Sequence, residues 1–503
     1  MRMLRVAALR CRSVHSSIHT AHHFSISAGP TLRRALHCLS LLLCLGCRRE
    51  GVARDWNLGA FDGLNLESRW AACPVDDSPA HGWFIMQHSS AAERKPRVVI
   101  IGGGFAGIAA AQALAGAGAR IFILDSNNHH CFQPLLYQVA TAALASPDVA
   151  WPIRHIVRRQ KDVTVLMLTV ESVDAARKVV KTDKCEIGYD FLVVATGATH
   201  SYFGHNWASL APGLKSISDA TLIRRRLLLA FERAEVSVDP VERERLLTII
   251  IVGGGPTGVE LAGAISELAR RTLPPEFRRA DPRNARIILL EAGPRILASF
   301  PERLSDYARD SLEAKGVEVR TDTPVDQIFE GRLVAGEKEI PAGVILWAAG
   351  VRASPAANWL GVESDGAGRI PVSGDLTVPG LPDVYVIGDL ALLTSSDGTP
   401  VPALAASAKQ MGKYAGRAIR LRLKGRSPRK PFRYRDYGNL ATIGRNSAIV
   451  KLGRLELTGF PGWLFWSVVH IYFLVNLRSR IFVAISWIAT YLTGNRGSRL
   501  ITR

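Results

Sequence analysis

Cysteine is scarce in this chain where a disulfide framework would need it. Of seven cysteines in 503 residues, five (Cys11, Cys38, Cys44, Cys47, Cys73) precede Met86, which leaves Cys131 and Cys185 for the rest. Two thiols so far apart suggest no disulfide framework, and the body of the chain fits a reducing compartment. The C-x-x-C of Cys44 and Cys47 has no βαβ pattern beside it and is read as incidental. No uninterrupted apolar run reaches the ~20 residues that span a bilayer. No EF-hand loop is visible, which sets calcium regulation aside, and no metal site is expected. No nucleic-acid module is recognisable either.

Acidic residues are missing from two regions. None precedes Glu50, although eight arginines do, and only Asp436 and Glu456 stand against 19 Lys+Arg between Lys409 and Arg503. That tail's net +17 accounts for nearly all of the formal +19. A basic patch of this kind points to nucleic acid or to an anionic membrane. With 48% hydrophobic and 21% charged residues the rest reads as globular, and its length suffices for two or more domain-sized cores.

Residues 1–95 do not read as a domain and are expected to carry no fold. A transit peptide, a signal sequence and translated sequence upstream of the true start all fit them. We take the last as the expectation, because Met86 opens a short polar lead into the first strand, as an ordinary start would.

What is present begins at Val98-Val-Ile-Ile-Gly-Gly-Gly-Phe-Ala-Gly107. An apolar, β-branched run entering a glycine turn and a small-residue helix predicts a dinucleotide-binding βαβ unit. Gly102 allows the turn, Gly104 lets backbone approach a pyrophosphate, and Gly107 lets helix and strand pack closely. The next strand, 120–124, ends in Asp125, where an acid should hold a ribose hydroxyl. A later strand, 191–195, closes in Thr196-Gly197. The pattern then repeats. Leu247–Val252 runs into Gly253, Gly255 and Gly258, and a second strand ends in Glu291, with a Pro- and Arg-rich inserted loop at 270–286 between them. An acid at Glu291 would repel a 2′-phosphate and so favours NADH over NADPH, with Arg295 as a reservation. Two such sites in one chain imply electrons passing between two cofactors. Further strands end in Gly350 and in Gly388-Asp389. A helix is predicted at 402–422 and strands at 432–450.

GGGFAG, Asp125, ATG at 195–197, GGGPTGVE, WAAG at 347–350 and IGD at 387–389 together resemble the two-dinucleotide-binding-domain flavoproteins. NHHCFQPLLYQVATA (128–142), YGNLATIGRNSAIV (437–450) and the Trp-rich tail look specifically like type II NADH:quinone oxidoreductase, over roughly 97–502. The resemblance implies an α/β chain of two Rossmann-like domains, with the NADH domain (211–345) inserted in the FAD domain (96–210 and 346–425). A C-terminal membrane-associating region (426–503) follows. It implies non-covalent FAD in the first site and NADH in the second. Asp389 should accept a hydrogen bond from the ribityl chain, and Thr141 and Thr196 should line the flavin. Glu260 is expected near the nicotinamide, positioning NADH or relaying a proton to quinone. In the family's quinone-side motif, often A-Q-x-A-x-Q, Gln410 matches the second glutamine, Ala406 replaces the first, and Lys409 is a further candidate. The disulfide reductases of the superfamily carry a cysteine pair beside the flavin, which this chain lacks.

The tail supports membrane association. Trp463–Leu477 and Ile481–Leu492 flank Arg478 and Arg480, each piece too short to span. A pair of interfacial helices on anionic lipid fits best; a buried hairpin or a homodimer contact is the competing reading. The implied activity is NADH oxidation coupled to reduction of ubiquinone or menaquinone, without proton pumping. A peripheral protein on the cytoplasmic face of a bacterial inner membrane is expected, with the mitochondrial inner membrane as the alternative. A reductase of a soluble carrier, ferredoxin- or rubredoxin-like, is the other enzymatic reading. An intact mass of the native protein tests the expected start, and residues found before Met86 would contradict it.

Overall fold

A computed structural model describes residues 94–395, 398–474, 477–494 and 496–501. The leader reading of 1–95 lies outside them up to residue 93.

Two sheets carry the fold. The first has six strands in the order Thr377–Val378, Leu381–Val386, Phe191–Val194, Arg97–Ile101, Arg120–Asp125, Val163–Met167. All neighbours are parallel except the first pair. The second sheet has four parallel strands, Val317–Arg320, Arg286–Leu290, Thr248–Val252 and Val344–Trp347. Both central strands are continuous apolar runs because helices cover both faces of a parallel sheet. Every residue of Thr248–Val252 is buried, as are Val98 to Ile101 of Arg97–Ile101. The second sheet lies in sequence between strands of the first, which is the expected insertion of one Rossmann-like unit in another.

The return from that insertion comes later than the expected boundary at 345/346. Val344–Trp347 hydrogen-bonds to Thr248–Val252, so the strand belongs wholly to the second sheet. The chain crosses back only at Val351–Ala353, which pairs antiparallel with Ala198–His200. Two other expectations shift. The predicted helix at 402–422 spans Ala405–Arg422, because Ser407 Oγ donates to Pro402 O and accepts from Leu404 N, fixing the start three residues on. The predicted strands at 432–450 begin only at Asn439–Gly444. The stretch before them is irregular, although its sequence alternates.

Backbone-to-backbone approach sets the packing. A side-chain carbon at Gly107 would lie 1.9 Å from Gly102 O, and one at Gly258 1.9 Å from Gly253 O. Helix Ala405–Arg422 crosses Phe105–Ala113 in the same way, with Gly412 against Ala106 O and Gly416 against Ala110 O. A C-terminal antiparallel sheet, Asn439–Gly444, Ser447–Leu452 and Leu455–Leu457, docks on helix Pro256–Glu267 where Gly263 meets Ile443 O. Two helices follow, Gly459–Phe473 and Leu477–Thr493. Trp466 and Val483 share a buried cluster with helix Leu136–Ala140 and the second sheet. Among the described residues no helix is long and apolar enough to cross a membrane.

A carbon at Gly412 would sit 2.1 Å from Ala106 O, so Gly412→Val must push two helices apart. Overpacking of this kind costs about 1–3 kcal/mol, and thermal melting should show a drop of several degrees. Gly366→Ala, where the added carbon meets open space, should leave the transition unmoved.

Candidate functional site

The two glycine turns are built alike. Gly102 has φ +102° and Gly253 φ +108°, the left-handed region that glycine tolerates. Gly103 N–H donates to Asp125 Oδ2 at 2.6 Å, and Gly254 N–H donates to Glu291 Oε2 at 2.6 Å. The second oxygen of each acid takes another backbone N–H, from Asn127 at 2.7 Å and Gly293 at 2.8 Å. Each acid is thereby fixed at the turn with lone pairs to spare for a hydroxyl. At Gly104 and Gly255, each the residue before its helix, nothing lies within 4 Å of where a side chain would begin. Each helix start therefore offers N–H groups and open space to an anion.

Around the second turn is a cavity of ≈ 370 Å³, lined among others by Gly253 to Pro256, Glu291 and Ala348 to Val351. Gly350 therefore belongs to this site. Arg295 also lines it, but its Nη atoms donate to Phe300 O and Ala298 O, which occupies the guanidinium raised as a reservation against NADH.

Around the first turn, Thr196 Oγ1 and Ser354 Oγ share a hydrogen bond at 2.5 Å, and Ser354 N–H donates to Gly197 O. Gly388 abuts Ala106 in the first turn of helix Phe105–Ala113, which brings Asp389 to that helix start. Burial raises the Asp389 pKa, Lys215 pulling the other way, and no hydrogen bond ties its carboxylate to the described residues. Thr141 is fully buried, and its hydroxyl donates to Tyr137 O at 2.9 Å, so its proton is used within its own helix.

Glu260 stands one turn into helix Pro256–Glu267. Although it keeps some solvent-facing area, the protein packed about its carboxyl pushes its pKa up to about 8, eased only by the Thr442 N–H. It is a neutral acid at pH 7, able to donate a proton.

Lys409 and Gln410 diverge. Lys409 Nζ lies 5.5 Å from the centre of the Phe473 ring, its pKa lowered by burial and then by Lys413 and Arg480. Gln410 turns away: its amide donates to Arg435 O and accepts from Arg435 N, so both ends are held by backbone. Between the first turn and the C-terminal helices runs a lane of rings, Phe105–Phe132, Phe132–His470 and His470–Trp466, with centroids 5.8, 6.4 and 4.1 Å apart. Sequence reading did not single out Ser354, Trp487 or Arg496. Tyr137 and Gln138 lay in the quoted YQVAT stretch, but without a role.

Residues 96–412 match the pyridine nucleotide-disulphide oxidoreductase family, and 437–496 match the NDH2 C-terminal domain. Two type II NADH:quinone oxidoreductases of Mycobacterium tuberculosis are 41% and 43% identical, over 81% and 82% of this chain and 91% of each relative. The chain belongs to the type II NADH:quinone oxidoreductases. It is 31% identical to the mitochondrial internal alternative NAD(P)H-ubiquinone oxidoreductase A1 of Arabidopsis thaliana, over 81% of this chain and 86% of that protein. The fold matches NDH2 of Plasmodium falciparum in complex with NADH, at TM-score 0.73 and 21% identity, over 82% of this chain and all of that one.

This oxidoreductase is an FAD-dependent, NADH-binding enzyme, and its residues fit both groups. The unpartnered Asp389 carboxylate and the open face at Gly104 suit the hydroxyls and pyrophosphate of FAD. The cavity at Gly255 with Glu291 suits NADH. Burial pushes the Cys131 thiol up to about 12, so it is no thiolate nucleophile at neutral pH. Hydrogen bonds to a charged group are worth ~1.5–3 kcal/mol. Glu291→Ala should therefore raise the KM for NADH about tenfold or more while flavin content stays constant, as steady-state kinetics and the flavin-to-protein absorbance ratio will show.

Proposed function

We propose that FAD occupies the turn at Gly102–Gly107 and NADH the turn at Gly253–Gly258, and that Glu260 supplies a proton to the quinone. The Glu260 carboxyl, enclosed by packed protein that pushes its pKa up to about 8, is the single observation that carries this reading. When bound, FAD would supply the two-electron redox chemistry between NADH and quinone. The protein's own residues do the remaining work. Asp125 and Glu291 orient the adenosine riboses, Asp389 accepts a hydroxyl hydrogen bond, and the helix starts hold the pyrophosphates. Gaining two electrons leaves the quinone oxygens short of two protons; in this reading Glu260 gives one and is refilled from solvent. Lys409 favours developing negative charge near the aromatic lane. The proton is consumed beside a single flavin, which supports turnover without proton translocation.

The quinone arrives from lipid. Phe460, Leu464, Val468 and Tyr472 are exposed at four-residue spacing on Gly459–Phe473, and Leu477, Ile481, Ile485 and Leu492 are exposed on the next helix. Exposed apolar stripes among cations fit a helix pair lying in a membrane surface. Type II NADH dehydrogenases are membrane-associated. We propose peripheral attachment through this pair, on the cytoplasmic face of a bacterial inner membrane. Anionic vesicles should float the protein, and Leu464→Glu with Ile485→Glu should release it; flotation of that double variant equal to wild type would remove the helices from the interface.

Quinone turnover should fall as pH rises through about 8, because the neutral acid is lost above its pKa. Glu260→Gln should slow turnover about 10²-fold and abolish this limb while FAD stays bound. Unchanged turnover would exclude Glu260 from the chemistry.

A further inference from the structure

We propose that Phe203 forms an aromatic wall for the nicotinamide riboside half of NADH, beside Gly350 at the second site. The proposal rests on the reading that NADH occupies the turn at Gly253–Gly258 and names what meets its reactive end.

The order of the strands gives the dinucleotide its direction. Arg286–Leu290, Thr248–Val252 and Val344–Trp347 are successive neighbours in the second sheet. They run into Glu291, the glycine turn and Ala348–Gly350, all of which line one cavity. In an open parallel sheet a dinucleotide lies across the carboxyl ends of the strands. With one ribose at Glu291 and the pyrophosphate at the turn, the nicotinamide riboside falls toward Ala348–Gly350.

Phe203 stands at that end. A side-chain carbon at Gly350 would lie 2.9 Å from Phe203 Cζ and 3.3 Å from Cε2. The ring therefore rests on the cavity wall where the wall has no side chain. Its segment is pinned there: Ser201 N–H donates to Gly350 O at 3.1 Å, and Trp347 Nε1 donates to Ser201 O at 2.8 Å. The neighbouring rings are used internally. Tyr202 stacks on Trp347 with centroids 5.3 Å apart, and its hydroxyl donates to Ala211 O. Trp207 is buried, edge-on to Trp347. Phe203 meets Trp347 edge-on at 6.2 Å and is 68% exposed.

The backbone at this ring is strained. Phe203 has φ +51° and Gly204 φ +91°, and His205 N–H donates to Tyr202 O at 3.0 Å. Two successive positive φ angles closed by that bond follow the pattern of a type I′ turn, whose first central position favours Asn, Asp or Gly. A bulky side chain is an outlier there. An apolar ring that is both strained and largely in water contributes little to folding, and such strain collects where ligands are held. The nicotinamide riboside presents a flat ring and a sugar edge, which an aromatic side chain covers while excluding water.

The test uses flavin-loaded full-length enzyme as wild type, Phe203→Asn, Glu291→Ala and Gly350→Ala, the last also combined with Phe203→Asn. Two quantities are read. One is the NADH concentration that half-saturates anaerobic flavin reduction in rapid mixing. The other is the inhibition constant of ADP-ribose, which lacks the nicotinamide. Phe203→Asn should raise the first roughly three- to tenfold, as loss of one aromatic contact does, and leave the second within about twofold of wild type. Glu291→Ala should raise both. Gly350→Ala should raise the first by displacing the ring, and add little once Phe203 is Asn, as coupled neighbours do. Asn tolerates the left-handed region, so the melting temperature of Phe203→Asn should hold or rise. An NADH response unmoved in Phe203→Asn, while Glu291→Ala raises both quantities, would overturn the aromatic wall alone. ADP-ribose inhibition untouched by Glu291→Ala would overturn the reading beneath it, and the proposal with it. A melting temperature several degrees lower in Phe203→Asn, with NADH and ADP-ribose weakened alike, would make the ring a support of the fold and also overturn the proposal.

Discussion

Two helices in this molecule begin within touching distance of the strands that feed them. At Gly107 and Gly258 there is no room for one further carbon, since the neighbouring carbonyl would stand 1.9 Å away. That approach places helix N-termini directly over the ends of the parallel sheets, where open space remains at Gly104 and Gly255. Phosphate binding needs both features, donors and vacancy, and both follow from the absence of side chains. The same device recurs wherever layers must nest: Gly412 and Gly416 on Ala106 and Ala110, Gly263 on Ile443. Domain, insertion and C-terminal module are thus held at backbone contact, and the groups they carry converge.

Convergence makes the acid. Glu260 belongs to the inserted unit, and the Thr442 N–H that reaches its carboxyl belongs to the C-terminal sheet. Each alone is ordinary. Packing takes solvent from the Glu260 carboxyl and raises its pKa to about 8, eased by the Thr442 N–H, a cost that only a tightly joined assembly can sustain.

The sequence made the skeleton legible because its signals are local. Unbroken β-branched runs entering glycine turns marked both central strands, and acids at the ends of the following strands marked both ribose positions. The halves of the tail were visible as apolar pieces around Arg478 and Arg480. Other features depend on distant packing. Trp347 reads as a strand end returning to the first unit, yet its pairing with Val252 keeps it in the second. Gln410 matches a motif, but the backbone of Arg435 claims its amide. Thr141 was expected to line the flavin, and local reading could not show that its hydroxyl proton goes to Tyr137 O. Nothing local in Glu260 announces its raised pKa, because burial depends on packing and the N–H that meets its carboxyl comes from Thr442, far along the chain.

The central claim is that two nucleotide sites in one chain exchange electrons directly and hand them to quinone. An anaerobic titration of the purified enzyme tests it most directly, with NADH added first and a ubiquinone analogue second while the flavin absorbance is followed. One equivalent of NADH per flavin should bleach the absorbance, and quinone should restore it in full. Bleaching without recovery would deny the quinone step, and absorbance unmoved by NADH would contradict the assignment of the second site.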